Sequence, residues 1–216
     1  MYRRLPNLLT VLRLGLALVF FIVLNRYRYG TDADHFATVV LWMSIVLFIL
    51  AALTDTLDGY LARRWKVEST FGRIMDPVCD KVLIIGAFIY LAGPRFVIPE
   101  LAEKGLFQCM ASGVYPWMVV IILARELLVT GVRDQMESSG VKFAAMLFGK
   151  LKMILQSITV PTVLFIVWLD PVAKPWTTWF REAFVYSTVI VTFFSAWPYV
   201  AQTARALRQR DAAITG

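Results

Sequence analysis

The sequence has little charge and few cysteines for its length. Only 17% of its 216 residues are charged, and it contains 2 cysteines, 12 glycines and 9 prolines. Soluble domains carry about 25% charged residues, so the low value excludes an ordinary soluble domain. The cysteine count excludes a disulfide scaffold, and the glycine and proline counts exclude a collagen-like or disordered chain. Apolar side chains, in contrast, make up 59% of the residues, and the mean hydropathy is +0.66. These values indicate an integral membrane protein.

Six apolar stretches have the composition of membrane-spanning helices, which need about 20 mostly apolar residues. They lie at approximately 8–24, 36–54, 78–92, 114–132, 153–169 and 184–202. The third stretch is short, and we expect its helix to begin earlier, near Gly72. Arg13 interrupts the first stretch and no small-residue cleavage site follows it, so we do not interpret it as a signal peptide. We predict an all-α integral membrane protein with six transmembrane helices, forming one domain over residues 1–216.

The basic residues are distributed unevenly between the two predicted sides of the membrane. If the N-terminus is cytoplasmic and the helices alternate, 16 Lys and Arg residues fall on the inner side and 6 on the outer side. The outer side also carries 6 acidic residues, so the formal net charge of +7 belongs to the inner side. Cytoplasmic loops are enriched in Lys and Arg. We therefore predict a multi-pass protein of the cell's inner (plasma) membrane, with both termini and the working face in the cytoplasm, and no nucleic-acid partner.

Two groups of residues with helical spacing lie between predicted helices two and three. The first group comprises Asp55, Asp58, Gly59, Ala62 and Arg63. The second group comprises Gly72, Asp76 and Asp80. Spacings of three and four residues place each group along one stripe of a helix. A short turn around residues 67–70 would lay the two stripes against each other, so that four carboxylates face one small volume.

Four converging carboxylates require a compensating charge. They are costly near membrane depth and repel each other unless protons or cations neutralise them. Oxygen ligands without His or Cys at ligand spacing favour a hard cation such as Mg²⁺, Mn²⁺ or Ca²⁺. Gly59 and Ala62 leave the stripe without side-chain bulk, and Arg63 can offer a fork of donors to a phosphate. The pattern predicts a pyrophosphate site with two metal ions, whereas the alternative is a set of loop acids paired with neighbouring Arg and Lys side chains.

The two groups together resemble the signature of the CDP-alcohol phosphatidyltransferase family. The string Asp-x2-Asp-Gly-x2-Ala-Arg-x8-Gly-x3-Asp-x3-Asp occupies residues 55–80 with all eight fixed positions present. The resemblance implies a six-helix membrane-embedded fold, a homodimer, and transfer of a substituted phosphate from a CDP-linked donor to an alcohol with release of CMP. It implies two Mg²⁺ ions, or Mn²⁺, bound by Asp55, Asp58, Asp76 and Asp80. It also implies that Asp80 is the general base on the acceptor hydroxyl.

Further strings resemble the bacterial phosphatidylglycerophosphate synthase branch of that family. They include Pro-Asn-x-x-Thr-x-x-Arg at 6–13, Ala-Arg-Arg-Trp at 62–65 and Ala-Arg-Glu at 124–126, and the resemblance covers most of residues 5–160. It implies CDP-diacylglycerol as donor and glycerol 3-phosphate as acceptor. The implied donor-binding residues are Asn7, Thr10, Gly59, Ala62, Arg63 and Ser69. An anionic acceptor needs cations, and the candidates at the inner ends of helices four and five are Arg125, Arg133, Lys150 and Lys152.

Several alternatives remain open from the sequence. Inositol phosphate would satisfy the same cations, phosphatidylglycerol is another possible acceptor, and the cations are also explained as positive-inside residues bound to lipid headgroups. An intramembrane prenyltransferase also uses Asp pairs, Mg²⁺ and a pyrophosphate, but gives no role to Gly59, Arg63 or Gly72. A divalent-cation transporter is disfavoured because such proteins usually show internal repeats, and none is evident here.

Overall fold

A computed structural model describes the backbone of residues 5–30, 35–65, 70–106, 109–138, 147–169 and 174–204. Side chains are described for residues 10–30, 35–54, 78–79, 81–106, 109–136, 149–169 and 174–204. The helices are α1 (Leu5–Leu24), α2 (His35–Trp65), α3 (Thr70–Leu91), α4 (Pro99–Glu103), α5 (Pro116–Ser138), α6 (Leu147–Leu169) and α7 (Pro175–Phe194). A 3-10 turn (Pro94–Phe96) precedes α4, and residues 197–204 are helical again after α7. Within these ranges the all-α prediction is confirmed, with one isolated antiparallel bridge between Val97 and Met110.

Each of the six predicted apolar stretches lies largely on one of the long helices, and α3 begins before Gly72 as expected. The last stretch is the exception in extent, because α7 begins nine residues before it, at Pro175. Proline is favoured in the first turn of a helix, where its missing N–H has no partner to lose. The search for apolar stretches missed this start, because Arg181 and Glu182 interrupt the apolar sequence of the helix.

Three described stretches are long and apolar enough to cross a membrane: His35–Thr54, Gly149–Leu169 and Pro175–Ala204. Shorter apolar stretches lie on α1 (Thr10–Leu24) and α3 (Lys81–Leu91). Large apolar side chains on these helices point away from the core and are exposed, among them Leu18, Ile22, Ile49, Ile154 and Phe193. Extended exposed apolar surface is typical of a protein that faces lipid. The structure therefore supports a helical membrane protein, whereas the count of six spans stays a prediction.

The core lies where α1 packs against α2 and α3, and where α6 packs against α2 and α7. Phe20 of α1 and Phe48 of α2 are fully buried, with ring centroids 5.6 Å apart. Phe21 stacks on Tyr90 of α3 at 5.3 Å. Gly86 permits this approach, because a Cβ there would collide with the Phe21 ring. Small residues allow helices in membranes to pack closely in this way.

The connection between α3 and α5 is tied to α7 by one buried arginine. Arg181 donates to the carbonyl of Ala111 at 2.5 Å. Gly113 lies against the same guanidinium with a φ of +68°, and a Cβ there would approach Arg181 Nε to 2.8 Å. Ser112 Oγ donates to the Leu91 carbonyl at 2.6 Å, which satisfies an end of α3. These contacts fix the end of the bundle that lies opposite the aspartates.

Candidate functional site

The helix boundaries place both aspartate groups on regular helix, as the spacing predicts. Residues 55–63 occupy the last turns of α2, and Asp76 and Asp80 lie in the first half of α3. We call this end of the bundle, where α2 ends and α3 begins, the motif end. The turn is predicted around residues 67–70. Its first three residues, including Ser69, lie outside the described residues, and Thr70 begins α3. The side chains of the four aspartates, Gly59, Ala62, Arg63 and Asn7 lie outside the part of the chain whose side chains are described.

Two members of the N-terminal string are buried on α1 at the motif end. Thr10 is 3% exposed and Arg13, one turn later, is completely buried. A spacing of three residues puts them on one face of the helix. Since α1 packs against both α2 and α3, this face turns towards the two helices that carry the aspartates. A buried arginine within a predominantly apolar helix is costly, which marks it as a candidate functional residue.

A cavity of about 510 Å³ lies beside the motif helices. Arg13 lines it from α1, and α2, α3 and α6 supply an otherwise mostly apolar wall. On α2 the wall ends at Leu53, two residues before Asp55, and on α3 it begins at Leu83, three residues after Asp80. The cavity therefore extends from the motif end along the apolar part of the bundle. Its mostly apolar lining suits hydrocarbon chains.

Three charged side chains meet in the interior near the motif end. Glu126 of α5 accepts hydrogen bonds from Lys152 of α6 and, at 3.4 Å, from Nη1 of its neighbour Arg125. All three residues are less than one-tenth exposed. We call Arg125, Glu126 and Lys152 the buried charge cluster. Among the described side chains, this cluster has one more basic group than acidic groups, because Arg125 and Lys152 share a single carboxylate.

The buried charge cluster lies next to the start of α3. Lys81, the residue after Asp80, donates from Nζ to Thr130 Oγ1 of α5 at 2.7 Å. Thr130 lies one turn after Glu126 on α5. The positive charges of Lys81 and Arg125 are both close enough to act on Lys152. The excess positive charge thus adjoins the helix turn that carries the aspartate predicted to be the general base.

The structure brings together two of the four predicted acceptor-binding cations. Arg125 and Lys152 belong to the buried charge cluster, whereas Arg133 and Lys150 have exposed side chains. Arg125 Nε is buried and has no hydrogen-bond partner among the described residues. A buried donor without a partner costs free energy unless a ligand or water satisfies it. The cluster therefore has both the charge and a spare donor for an anion.

Sequence reasoning missed the contribution of the chain after α7. Ser195 offers its carbonyl to Arg125 Nη2 at 3.4 Å, and the Tyr199 hydroxyl lies against Gly149 at the start of α6. Nearby, Gln156 of α6 donates to Thr192 of α7 at 3.2 Å. The signal that could have located this feature is Pro198, since proline interrupts a helix by removing an N–H donor.

Within the described side chains, no group of three or more His, Cys, Asp or Glu residues could hold a metal ion. The four motif aspartates fall outside that part of the chain. Their backbone positions on α2 and α3 fit the predicted donor set, because the helical spacing of three and four residues is kept. Carboxylate oxygens are ligands that Mg²⁺ and Mn²⁺ accept.

Comparison with known proteins shows which family this arrangement belongs to. The family model for CDP-alcohol phosphatidyltransferase matches residues 3–197. A CDP-diacylglycerol–glycerol-3-phosphate 3-phosphatidyltransferase of Bacillus subtilis is 31% identical, with 94% of this chain and 97% of the relative covered. A protein of the same name from Cereibacter sphaeroides is 29% identical, with 90% and 92% covered. A probable phosphatidylglycerophosphate synthase of Mycobacterium tuberculosis is 35% identical, with 72% and 63% covered. The chain belongs to the CDP-alcohol phosphatidyltransferase family.

Proposed function

We propose that this protein transfers the phosphatidyl group of CDP-diacylglycerol to sn-glycerol 3-phosphate, giving phosphatidylglycerol phosphate and CMP. The observation that carries the choice of acceptor is the buried charge cluster, whose excess positive charge and spare Arg125 Nε donor adjoin the start of α3. A dianionic acceptor compensates such a charge, whereas a neutral alcohol leaves it uncompensated. The names of the similar proteins support the same acceptor.

The four aspartates are the proposed ligands of two Mg²⁺ ions, with Mn²⁺ as a substitute. Asp55 and Asp76 would contact both ions, and Asp58 and Asp80 one each. Bound there, the ions would neutralise the pyrophosphate and the departing CMP. The helices that carry the four aspartates, α2 and α3, both pack against α1.

We propose a separate binding region for each end of the donor. Its acyl chains would occupy the apolar cavity between α1, α2, α3 and α6. Binding there would remove the hydrocarbon from contact with water. Its head group would then lie at the motif end, against Gly59, Ala62 and Arg63. Asn7, Thr10 and Ser69 complete the proposed donor-binding set, and of these Thr10 is buried on the face of α1 that packs on the motif helices.

We propose the following chemical step. Asp80 would take the proton from the C1 hydroxyl of glycerol 3-phosphate, whose oxygen attacks the phosphorus attached to diacylglycerol. The bond between that phosphorus and the CMP oxygen breaks, and CMP leaves. Arg125 and Lys152 would bind the acceptor phosphate beside Asp80, and Arg133 and Lys150 would attract it to the entrance. Holding both substrates in one geometry lowers the entropic part of the barrier.

We propose the same membrane arrangement that the charge distribution predicts. Six helices would cross the inner membrane, with the aspartates and both termini in the cytoplasm, where glycerol 3-phosphate is soluble. The chain would act as one domain and as a homodimer in phospholipid synthesis. Cysteine accessibility to a membrane-impermeant reagent, with single cysteines introduced into the loops of a variant lacking Cys79 and Cys109, tests this orientation.

The deciding experiment is an acceptor panel. Purified enzyme in detergent receives CDP-diacylglycerol, Mg²⁺ and, separately, glycerol 3-phosphate, inositol phosphate, phosphatidylglycerol or no acceptor, and CMP and lipid product are measured. Of these conditions, we expect product only in the one with glycerol 3-phosphate. Product only with another acceptor would overturn the choice of substrate. A prenyltransferase would release pyrophosphate rather than CMP, and a transporter would carry Mg²⁺ into liposomes that contain no donor lipid.

A further inference from the structure

A break in the last long helix lies against the buried charge cluster. Helix α7 ends at Phe194, residues 195–196 form a turn, and helix resumes at residue 197. Pro198 accounts for the break, because it has no N–H to donate to the carbonyl four residues earlier. The Tyr199 amide donates to Ala196 O at 3.1 Å rather than to Ser195 O. The Ser195 carbonyl is thereby available to accept from Arg125.

With this contact, two of the three guanidinium nitrogens of Arg125 have a protein partner. Nη1 donates to Glu126 and Nη2 to Ser195 O, each at 3.4 Å, which leaves the buried Nε without a partner among the described residues. Carbonyls at a helix C-terminus carry partial negative charge and favour a cation. Nη1 and Nη2 thus donate hydrogen bonds to the protein, and Nε is available to a ligand.

Tyr199 connects the chain after the break to the start of α6. It is 7% exposed, and a Cβ at Gly149 would lie 3.3 Å from its hydroxyl. The tyrosine is also close enough to Arg125 to act on its charge. Gly149 immediately precedes Lys150 and lies three residues before Lys152. One side chain therefore lies beside both of the helices that supply the proposed acceptor cations.

We propose that residues 195–204 form one wall of the acceptor-phosphate site and that Tyr199 is a positioning residue for it. The tyrosine orients the Arg125 guanidinium, so that Nε faces the acceptor, and holds the first turn of α6 at the distance that Lys152 requires. A side chain at position 149 would shift the hydroxyl slightly, because a Cβ there would lie only 3.3 Å from it. The proposal rests on the proposed function, since it assigns Tyr199 to the binding of the same acceptor.

The test is Tyr199→Phe, which removes only the hydroxyl. The KM for glycerol 3-phosphate is measured at saturating CDP-diacylglycerol, and the KM for CDP-diacylglycerol at saturating acceptor. We expect the first KM to rise about fivefold, because Arg125 and the first turn of α6 lose the hydroxyl that positions them. The second KM, kcat and the melting temperature should stay near the wild-type values. Tyr186→Phe, the same change on the exposed side of α7, serves as the matched control and should change nothing.

A double-mutant cycle with Gly149→Ala provides a second measurement. The added methyl should raise the KM for glycerol 3-phosphate in the wild type and have a smaller effect when the Tyr199 hydroxyl is absent. Independent, additive effects would overturn the proposal, as would an unchanged KM in Tyr199→Phe. A parallel fall of kcat and melting temperature in Tyr199→Phe, without a change in KM, would show a packing role instead. Failure of the proposed function is separate, because it is seen as absence of product with glycerol 3-phosphate in the wild type.

Discussion

Lys152 donates from Nζ to the carboxylate of Glu126 in the interior of the bundle, linking α6 to α5. The same carboxylate contacts Arg125. Removal of one partner from a buried ion pair is strongly destabilising, because the remaining charge is left without compensation. Glu126 is therefore the residue on which the positions of both cations depend.

The first prediction concerns Glu126→Gln. Glutamine keeps the shape and a hydrogen-bond acceptor but leaves two buried cations without their shared carboxylate, so we expect a loss of about 3 kcal/mol of stability. That loss corresponds to a fall of roughly 9 °C in melting temperature for a chain of this size. The KM for glycerol 3-phosphate should rise about tenfold, since Lys152 and Arg125 lose their shared orientation. Differential scanning fluorimetry in detergent and steady-state kinetics measure the two effects.

Glu103→Gln is the control for this variant, because Glu103 is exposed on α4. It should leave both the melting temperature and the kinetics unchanged. If Glu126→Gln behaved in the same way, the buried charge cluster would have no role in orienting the cations.

The second prediction tests the contact between α1 and α3. Gly86→Ala places a methyl group in the space of the Phe21 ring, and overpacking of this kind costs about 1–3 kcal/mol. We expect a lower melting temperature, and partial recovery when Phe21→Leu is added. Gly15→Ala on α1 has open space around its Cβ and should be neutral or slightly stabilising. An equal effect of the two alanine substitutions would show that the close approach of Phe21 is unimportant.

The sequence predicted the helices well because their signal is local. Apolar stretches of nearly 20 residues and the helical spacing of Asp55, Asp58, Asp76 and Asp80 depend only on neighbouring residues, and α2 and α3 have the predicted extents. The family resemblance also came from one contiguous string. By contrast, the start of α7 at Pro175 was missed, because a partly charged first half hides a helix from an apolar count.

The arrangement around Arg125 could be predicted only in part. Its proximity to Lys152 joins residues 27 positions apart, and its contact with Ser195 joins residues 70 positions apart. Such pairings depend on how helices pack, which a single sequence does not encode in any short pattern. Charge alone also did not separate Arg125 and Lys152, which are buried, from Arg133 and Lys150, which are exposed. To distinguish buried from exposed cations, one must know which faces of α5 and α6 are turned towards the core.

The third prediction concerns the apolar cavity. Ala52→Phe places a ring in the cavity wall about one turn before Asp55, the first residue of the α2 motif, and should raise the KM for long-chain CDP-diacylglycerol about tenfold. The KM for glycerol 3-phosphate should stay unchanged, because the buried charge cluster is separate. With a donor that has short acyl chains, the variant and the wild type should have nearly the same KM for the donor. Leu50→Phe, on the exposed side of α2, is the matched control, and equal effects of the two variants would argue against acyl chains in the cavity.

The fourth prediction concerns the metal ions and the proposed base. Chelation with EDTA should abolish turnover, and Mg²⁺ should restore it, because the four carboxylates repel each other and the donor pyrophosphate without a cation. Asp80→Asn should lower kcat at least about a thousandfold, as expected for a lost general base that is also a metal ligand, while binding of CDP-diacylglycerol is largely kept.

Asp55→Asn and Asp76→Asn should in addition raise the Mg²⁺ concentration required for half-maximal activity, because each is assigned to both ions. Asp134→Asn, which alters an exposed acid on α5 outside the motif, should match the wild type in both respects. The two roles separate when turnover and Mg²⁺ dependence are measured together: unchanged turnover in Asp80→Asn would remove Asp80 as the base, and an unchanged Mg²⁺ requirement in Asp55→Asn would remove Asp55 as a shared ligand.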